Sequence, residues 1–310
     1  MIFPTDEELR QAADLLRAGK LVAFPTETVY GLGAHALDAG AVAEIFRVKG
    51  RPATSPLIVH VDSLAMARSL VAEWPAEADS LARRFWPGPL TLVLPKQSCI
   101  PGNVTAGLPT VGLRMPAHPV AQALIRTAGI PLAAPSANRF TQVSPTTAVH
   151  VRQGLGGDVA LILDGGPTTV GIESTVLSLV VQPPVILRPG MLGRAEMEAC
   201  IGPIRESVSY GAAHPSPGLH PRHYSPRTPL KLVRDGLLPP EGRGAYLFLR
   251  SPAPAAETRR MPAEARAYAQ LLYATLHELD TLALDWIAVE APPDTPEWAG
   301  ILDRLSRASC

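Results

Sequence analysis

Short apolar runs alternate with helical repeats along the first two hundred residues of the chain. Buried strands are predicted at 21–24, 57–61, 90–94, 110–113, 131–134 and 159–163. Helices are predicted where apolar positions follow the helical period, at 5–19, 38–50, 63–70, 76–85, 119–128 and 146–153. A hairpin of 176–181 with 185–187 and a closing helix at 194–201 complete the pattern. This order predicts an α/β domain with a twisted, mixed sheet and flanking helices.

A proline-rich stretch separates this pattern from a shorter one. Its prolines are Pro203, Pro215, Pro217, Pro221, Pro226 and Pro229, a density that predicts a stiff linker. Beyond it, strands are predicted at 230–233, 245–249 and 286–289, and helices at 263–280 and 298–307. We therefore expect a first domain at 1–203, a linker at 204–229 and a small C-terminal α/β domain at 230–310.

Composition excludes several classes of protein. The 310 residues are 46% hydrophobic, which is enough for two ordinary cores. Basic and acidic residues balance at 28 each, so no overall field draws the chain to nucleic acid. No run approaches the roughly 18 apolar residues of a membrane span, and residues 1–20 are unlike a signal peptide. Cys99, Cys200 and Cys310 are widely spaced, which argues against a disulfide framework and against zinc. We expect a cytoplasmic protein.

The segment that follows the first strand has an unusual composition. Pro25 has no N–H to donate, so we expect the chain to leave the sheet there. Gly31 and Gly33 are expected to permit tight turns. Hydroxyls and a carboxylate lie in this segment, on Thr26, Glu27, Thr28 and Tyr30. Because open α/β sheets bind ligands at the carboxyl ends of their strands, the segment predicts a binding loop.

Cations cluster at the end of the second predicted helix. The cluster consists of Arg47, Lys49 and Arg51, and its charge can be interpreted in two ways. They can satisfy the negative end of the helix dipole, or the turn bounded by Gly50 and Pro52 can hold an anion. The turn favours the anion site.

Two further arginines have similar settings, and hydroxyl-rich turns accompany them. Arg114 and Arg188, like Arg51, adjoin a proline or a Gly/Pro turn, which favours one polar pocket assembled from strand ends. Ser and Thr at turns could read a small polar ligand or act as local caps, and they include Thr110, Ser136, Ser144 and Ser174. His60 lies in an apolar strand, where a core histidine is the simpler interpretation, although it could lean into the pocket.

Familiar catalytic motifs do not occur in the sequence. It contains neither a P-loop nor the dinucleotide fingerprint, and no nucleophile, base and orienting triad is visible. His214, His220 and His223 lie in the proline-rich stretch without carboxylate or thiol support, so no metal site is predicted there. The arginines and hydroxyls of the predicted pocket instead suit a reaction driven by positioning and charge neutralisation.

The motifs together closely resemble the YrdC-like signature of the threonylcarbamoyl-AMP synthases. The signature begins with PTETVYGLG at 25–33 and a K-x-R-P turn at 49–52. It continues with WPGPLT at 86–91, TAG at 105–107, TVGLRMP at 110–116, AAPSAN at 133–138, DGG at 164–166, ESTV at 173–176 and LRPG at 187–190. SPG at 216–218 and RHYSP at 222–226 resemble the linker of the two-domain branch of this family.

The resemblance implies a YrdC-like fold and a specific reaction. Members of the family join L-threonine, bicarbonate or CO2, and ATP into threonylcarbamoyl-AMP, with release of pyrophosphate. The product passes to a transferase that makes N6-threonylcarbamoyladenosine in tRNA. Mg2+ is expected to come with ATP and to bind mainly through phosphate and water.

The resemblance also implies the roles of single residues. Threonine or its carbamate would be held by Thr28, His60, Arg114, Ala134 and Ser174. The nucleotide would be held by Arg51, Ser55, Thr110, Ala134, Ser136, Ser144 and Arg188. Lys49 and Arg51 would act catalytically on the phosphates, and Tyr224 would belong to a lid over the nucleotide. Ser55 departs from the commoner Asn before Pro-Leu, and the second domain is shorter than usual.

Two alternatives remain open. The chain could form a carbamoyl-adenylate on another substrate, as YrdC-like domains fused to other catalytic modules do, but it carries no such module. It could also be an RNA-binding module, although its neutral charge and lack of aromatic residues among the cations weigh against this. Direct contact with tRNA is left undecided.

Overall fold

The computed structural model describes residues 3–206, 223–234 and 236–309. In these residues the first domain is built on a ten-stranded mixed sheet in the order β10-β9-β8-β4-β5-β3-β6-β2-β1-β7. Its strands are β1 Val22–Pro25, β2 Tyr30–His35, β3 Ile58–His60, β4 Leu90–Pro95, β5 Thr110–Arg114, β6 Leu132–Ala133, β7 Leu161–Ile162, β8 Thr175–Ser178, β9 Val185–Arg188 and β10 Arg205–Glu206. The predicted mixed sheet is therefore confirmed.

The helices of the first domain follow the predicted order. They are α1 Asp6–Arg17, α2 Ala39–Lys49, α3 Leu64–Ser69, α4 Ala76–Phe85, α5 Pro119–Ala128, α6 Ala148–Leu155 and α7 Arg194–Ile201. Local signals fix their ends. Thr5 and Glu8 form the reciprocal capping box of α1. Asp38 accepts from the backbone N–H groups of Gly40 and Ala41 in the first turn of α2, and Gly50 ends that helix in the left-handed region.

The first strand ends at Pro25 as expected, but the chain returns to the sheet after a short turn as β2, a strand that was not predicted from the sequence. Pro25 pairs with Tyr30, because β1 and β2 form an antiparallel hairpin closed by the hydroxyl and the N–H of Thr26, which both bond to the carbonyl of Val29. Pro25 is tolerated because it ends its strand. Gly33 lies within β2, where a Cβ would come 2.8 Å from the ring of Phe24. The glycine makes room for that ring and does not form a turn.

Two apolar layers cover the faces of the sheet. Helices α1 and α5 pack on one face, where Leu16 and Leu124 meet Phe24 of β1. The other face carries α2 and α4, with Ile45 and Leu81 as fully buried members of its core. Burying both faces stabilises the sheet and leaves the ends of its strands for polar side chains.

The second domain is a four-stranded sheet of parallel pairs in the order β11-β14-β12-β13. Its elements are β11 Leu230–Val233, β12 Gly244–Phe248, β13 Glu257–Arg260, α8 Ala265–Leu279, β14 Trp286–Glu290 and α9 Ala299–Ala308. Strand β13 was not predicted from the sequence, and neither was β10. Their sequences, ETRR and RE, contain no apolar residue that would indicate a strand.

The two domains share one apolar cluster. Ile172 of the first domain packs in it with residues of α8 and α9, including Leu272 and Ile301. The backbones approach closely beside it, since a Cβ on Gly171 would lie 2.2 Å from the carbonyl oxygen of Ala269 in α8. Among the helices of the described residues, none combines the length and apolar composition that spanning a bilayer requires.

Candidate active site

A polar cavity lies where several strands of the large sheet end. The β1–β2 turn, the ends of β3 and β5, the loop after β6 and the segment before β8 all contribute to its wall. The pairing explains this convergence. His60 lies opposite Arg114 in the parallel pair β3–β5, and Gly31 bridges to Ser136 in the loop after β6. The sheet register thus brings residues far apart in sequence to one place.

Most of the predicted site residues line this cavity. They are Thr28, Arg51, His60, Arg114, Ala134, Ser136, Ser174, Arg188 and Tyr224. All of them except Ser136 are buried. The structure therefore gathers the predicted threonine residues and most of the predicted nucleotide residues around a single space.

Four predicted residues lie outside the cavity wall. Lys49 is buried behind it and donates to the carbonyls of Ser136 and Asn138, both at 2.5 Å. Ser144 donates to Glu173 at 2.6 Å. The other two are further from the wall: Ser55 is half-buried in the turn after Pro52, and Thr110 borders a separate recess beside β3 and β5.

Arg114 is held from several sides. It donates to the Thr28 hydroxyl at 2.9 Å and to the carbonyl of Gly88 at 3.3 Å. One of its nitrogens lies 2.7 Å from a carboxylate oxygen of Glu27, and the side chains are 4% and 8% exposed. Glu27 also accepts from the N–H of Ala117. This ion pair rests on charge more than on a well-directed hydrogen bond, and it fixes the guanidinium at the cavity wall.

Arg188 is also fixed by hydrogen bonds. Its guanidinium donates to the carbonyl of Ser174 at 2.9 and 3.1 Å and to the Ser174 hydroxyl at 3.2 Å. The same hydroxyl shares a hydrogen bond of 2.8 Å with Thr91. Ser174 is therefore held between a cation and a second hydroxyl.

Buried cations dominate the electrostatics of the site. Burial lowers the pKa of Arg51 to about 10, a value that leaves the guanidinium charged at neutral pH. Burial, together with Arg51, lowers the pKa of Lys49 well below its usual range. The histidines add no charge, because burial and the nearby Arg114 lower the pKa of His60 to about 3. Burial and Arg51 likewise lower the pKa of His223. The cavity favours anions.

Several buried polar atoms of the wall lack a hydrogen-bond partner in the part of the chain that the structure describes. They are Nε of Arg51, Nδ1 of His60, Nδ1 of His223 and the hydroxyl of Tyr224. Buried polar atoms are normally satisfied, and those that are not need an explanation. A bound polar ligand would supply the missing partners.

Sequence reasoning missed a carboxylate and its partners. Glu173 lines the cavity, and Tyr273 and Arg304 of the second domain donate to it at 3.1 and 2.8 Å. Arg304 shares the buried face of α9 with Ile301 and Leu305. A charged residue on the apolar face of a predicted helix was the signal that could have identified it.

Only part of the predicted linker lies within the described residues. His214 and His220 lie outside the described residues, as does most of the predicted linker. His223 and Tyr224 are described, and both line the cavity. Tyr224 is 1% exposed, and its ring stacks on Tyr273. This end of the linker is part of the wall.

Comparisons with known proteins identify the family of the chain. A family model for Sua5, YciO and YrdC proteins, described as "Telomere recombination", matches residues 14–190. A second model, described as "Threonylcarbamoyl-AMP synthase, C-terminal domain", matches residues 192–310. The threonylcarbamoyl-AMP synthase of Bacillus subtilis is 43% identical over 98% of this chain and 93% of its own.

Solved structures and a shorter relative extend the comparison. Sua5 of Pyrococcus abyssi complexed with L-threonine has a TM-score of 0.90 and 41% identity, covering 97% of this chain and 94% of its own. A variant of that protein with a histidine and the adjacent tyrosine replaced by alanine also has a TM-score of 0.90, at 40% identity over 97% of this chain and 92% of its own.

A putative threonylcarbamoyl-AMP synthase of Mycobacterium tuberculosis is 40% identical and covers 62% of this chain and 88% of its own. The resemblance seen in the sequence motifs is thus confirmed over both domains. The chain belongs to the Sua5, YciO and YrdC family and, over its whole length, to the two-domain threonylcarbamoyl-AMP synthases within it.

Proposed function

We propose that this protein is an L-threonylcarbamoyladenylate synthase. It would convert L-threonine, bicarbonate or CO2, and ATP into threonylcarbamoyl-AMP and pyrophosphate, which makes it a nucleotidyltransferase. The observation that carries the proposal is the cavity wall of buried guanidiniums, in which polar atoms of Arg51, His60 and Tyr224 have no hydrogen-bond partner among the described residues. Such a wall suits a ligand that is both anionic and rich in hydrogen-bonding groups.

The threonine half of the cavity is proposed to lie around Arg114. Its guanidinium would pair with the carboxylate of threonine or with the carbamate, and Thr28 and Ser174 would add hydroxyl contacts. His60 is neutral because of its lowered pKa, so it could bond to the ligand without repelling a neighbouring cation or ammonium group. Ala134 would contribute backbone contacts.

The nucleotide half is proposed to lie around Arg51 and Arg188. Ser136 and Tyr224 line the same cavity and would contact the nucleotide, with the Tyr224 hydroxyl, which has no partner within the described ranges, as a donor. Ser55, Thr110 and Ser144 are assigned to the nucleotide by resemblance alone. The first two lie away from the cavity wall, and Ser144 touches it through Glu173.

Lys49 and Arg51 are proposed to stabilise charge during the adenylation step. The carboxylate oxygen of the threonine carbamate attacks the α-phosphorus of ATP, and the bond from that phosphorus to the leaving pyrophosphate breaks. Two N–H groups of Lys49 donate to carbonyls in the structure. A bound phosphate would favour the charged form that burial disfavours, and the ammonium group then has a third N–H for a phosphate oxygen. Arg51 would hold the same phosphates, so that the transition-state charge meets fixed cations.

Mg2+ is proposed to enter with ATP. Within the described residues no three His, Cys, Asp or Glu side chains are placed to hold a metal ion. The carboxylate at the wall, Glu173, already accepts from three donors. These residues fit a Mg2+ that takes most of its oxygen ligands from phosphate and water. When bound, the ion would neutralise phosphate charge.

We also propose where the reaction takes place, which enzyme receives its product and what Tyr224 does. The product would pass to the transferase that modifies tRNA, and the reaction would take place in the cytoplasm. The lid role of Tyr224 rests on its position in the wall beside the proposed nucleotide.

The deciding experiment is a pyrophosphate assay on the purified full-length chain. The protein is incubated with ATP, Mg2+ and bicarbonate, with threonine, with serine or with neither. We expect release that depends on threonine, and a threonylcarbamoyl-AMP mass in the product. Release that threonine does not affect would favour a carbamoyl-adenylate former for another substrate. No release together with a salt-sensitive tRNA shift would favour an RNA-binding module.

A further inference from the structure

The carboxylate of Glu173 is the centre of a buried cluster that spans both domains. One oxygen accepts from the hydroxyl of Ser144 at 2.6 Å, and the other accepts from the hydroxyl of Tyr273 at 3.1 Å. Nε of Arg304 donates to the second oxygen at 2.8 Å. Burial opposes ionisation of Glu173, but Arg304 and Arg188 keep its pKa below its usual range. The cluster therefore holds a charged carboxylate at the cavity wall.

Arg304 reaches this cluster from α9 of the second domain. Its side chain is 0% exposed and also donates to the carbonyl of Pro189 at 3.0 Å, beside Arg188. The nitrogen that donates to Pro189, Nη1, also pairs with Asp303. A buried arginine with this many directed bonds is fixed in place, and it fixes its acceptors in turn.

Tyr224 contacts both Arg304 and Tyr273. The Arg304 guanidinium is 5.2 Å from the centre of the Tyr224 ring, and the Tyr273 ring stacks on it at 6.0 Å with an interplanar angle of 24°. The backbone of Tyr224 has a φ of 62°, a conformation that needs support from its surroundings. Arg304 and Tyr273 supply that support without lining the cavity themselves.

We propose that Arg304 and Tyr273 are positioning residues for the nucleotide half of the cavity, so that the second domain completes a site on the first. This rests on the proposed function. Without Arg304, the Glu173 carboxylate loses its neutralising cation beside the place where the triphosphate would bind, and the Tyr224 ring loses a neighbour. Without the Tyr273 hydroxyl, the same carboxylate loses a hydrogen-bond donor that offsets its charge. Both changes weaken the binding of an anionic nucleotide. Threonine, held around Arg114, is affected much less.

A matched pair of tyrosines on α8 provides the test. Tyr273→Phe removes the hydroxyl that donates to Glu173. Tyr268→Phe removes a buried hydroxyl that has no hydrogen-bond partner among the described residues. Binding of ATP with Mg2+ is measured by calorimetry in bicarbonate-free buffer, and binding of L-threonine is measured separately. We expect the Kd for ATP to rise roughly three- to tenfold in Tyr273→Phe and to stay unchanged in Tyr268→Phe.

Substitution of Arg304 extends the test. Arg304→Met should raise the Kd for ATP on the order of ten- to 150-fold, and Arg304→Lys should recover part of the loss because it keeps the charge. The Kd for threonine should stay within about twofold of wild type.

The outcomes separate this inference from the proposed function. If the wild-type protein binds ATP and Tyr273→Phe binds it equally well, the inference is refuted while the proposed function stands, even if the variant is less stable. If the wild-type protein binds no ATP, both are refuted. Should Arg304→Met fail to fold, Tyr273→Phe still decides.

Discussion

The buried pair of Glu27 and Arg114 allows folding and binding to be measured separately. Arg114→Met leaves the Glu27 carboxylate buried and without its cationic partner, although the N–H of Ala117 still donates to it. Removing one partner of a buried ion pair costs about 3–5 kcal/mol, whereas replacing both partners by neutral groups of similar shape is often close to neutral. The double variant Glu27→Gln/Arg114→Met should therefore recover most of the free energy of unfolding that the single variant loses.

Activity should not recover with stability. A charge-assisted contact such as the one proposed between Arg114 and threonine is worth on the order of 1.5–3 kcal/mol, so kcat/KM for threonine should fall roughly ten- to 150-fold in both variants. Stability is measured by urea unfolding, and activity by pyrophosphate release under conditions where each variant is folded. Arg83→Met is the matched control, because Arg83 pairs with Asp79 at the surface and is 69% exposed. It should change stability by less than about 1 kcal/mol.

Two results would refute this reasoning. Wild-type stability of Arg114→Met would mean that the ion pair does not support the fold. A double variant that regains both stability and threonine turnover would mean that Arg114 acts through Glu27 and does not contact threonine.

Three further predictions concern other parts of the molecule. The pKa of His60 is about 3 in the folded state and 6.5 ordinarily, so the neutral histidine supports the fold fully above pH 6.5. The free energy of unfolding should fall by about 2 kcal/mol between pH 6.5 and 5 as the unfolded state takes up a proton. If the free energy of unfolding depends on pH equally in wild type and in His60→Asn, this prediction is wrong. Lys49→Met and Arg51→Met should be non-additive in kcat/KM for ATP, and a double variant that shows the sum of the single losses would indicate separate roles. Gly171→Ala should destabilise the protein by more than about 1 kcal/mol in thermal unfolding, because its φ is 86° and the carbonyl in α8 is so close. Gly157→Ala, in open space, is the control, and equal melting temperatures would exclude the steric argument.

The sequence predicted the helices best, because the signals that end a helix are local. Asp38 and Gly50 bound α2 within twelve residues of each other, and both act on backbone groups of that helix. The hairpin at Pro25 could not be read in the same way. Its closure depends on the pairing of β1 with β2 and on the fit of Phe24 over Gly33. The missing N–H of Pro25 says nothing about such contacts between strands.

The candidate site was predictable where a motif marks each wall residue, as for Arg51 and Arg188. The cluster behind the wall was not. Glu173 and Arg304 are 131 residues apart, and their contact depends on how α9 packs against the first domain. No periodicity or spacing encodes such a contact, since it arises from the docking of two separately patterned units. Arg304 on an apolar helix face indicated that a partner existed, but it could not say which.

The Glu173 cluster also bears on where this chain could be shortened. The M. tuberculosis relative covers 62% of the chain, so the family includes members that are much shorter than this protein. Truncation of this protein near residue 203 would remove the principal cation beside a buried carboxylate and uncover apolar residues such as Val29, Val143 and Ile172. The boundary between the two family models is therefore not an energetic boundary. A shortened form of this protein would need a neutral residue at position 173, or another cation to pair with Glu173. The intact chain should unfold in one calorimetric transition.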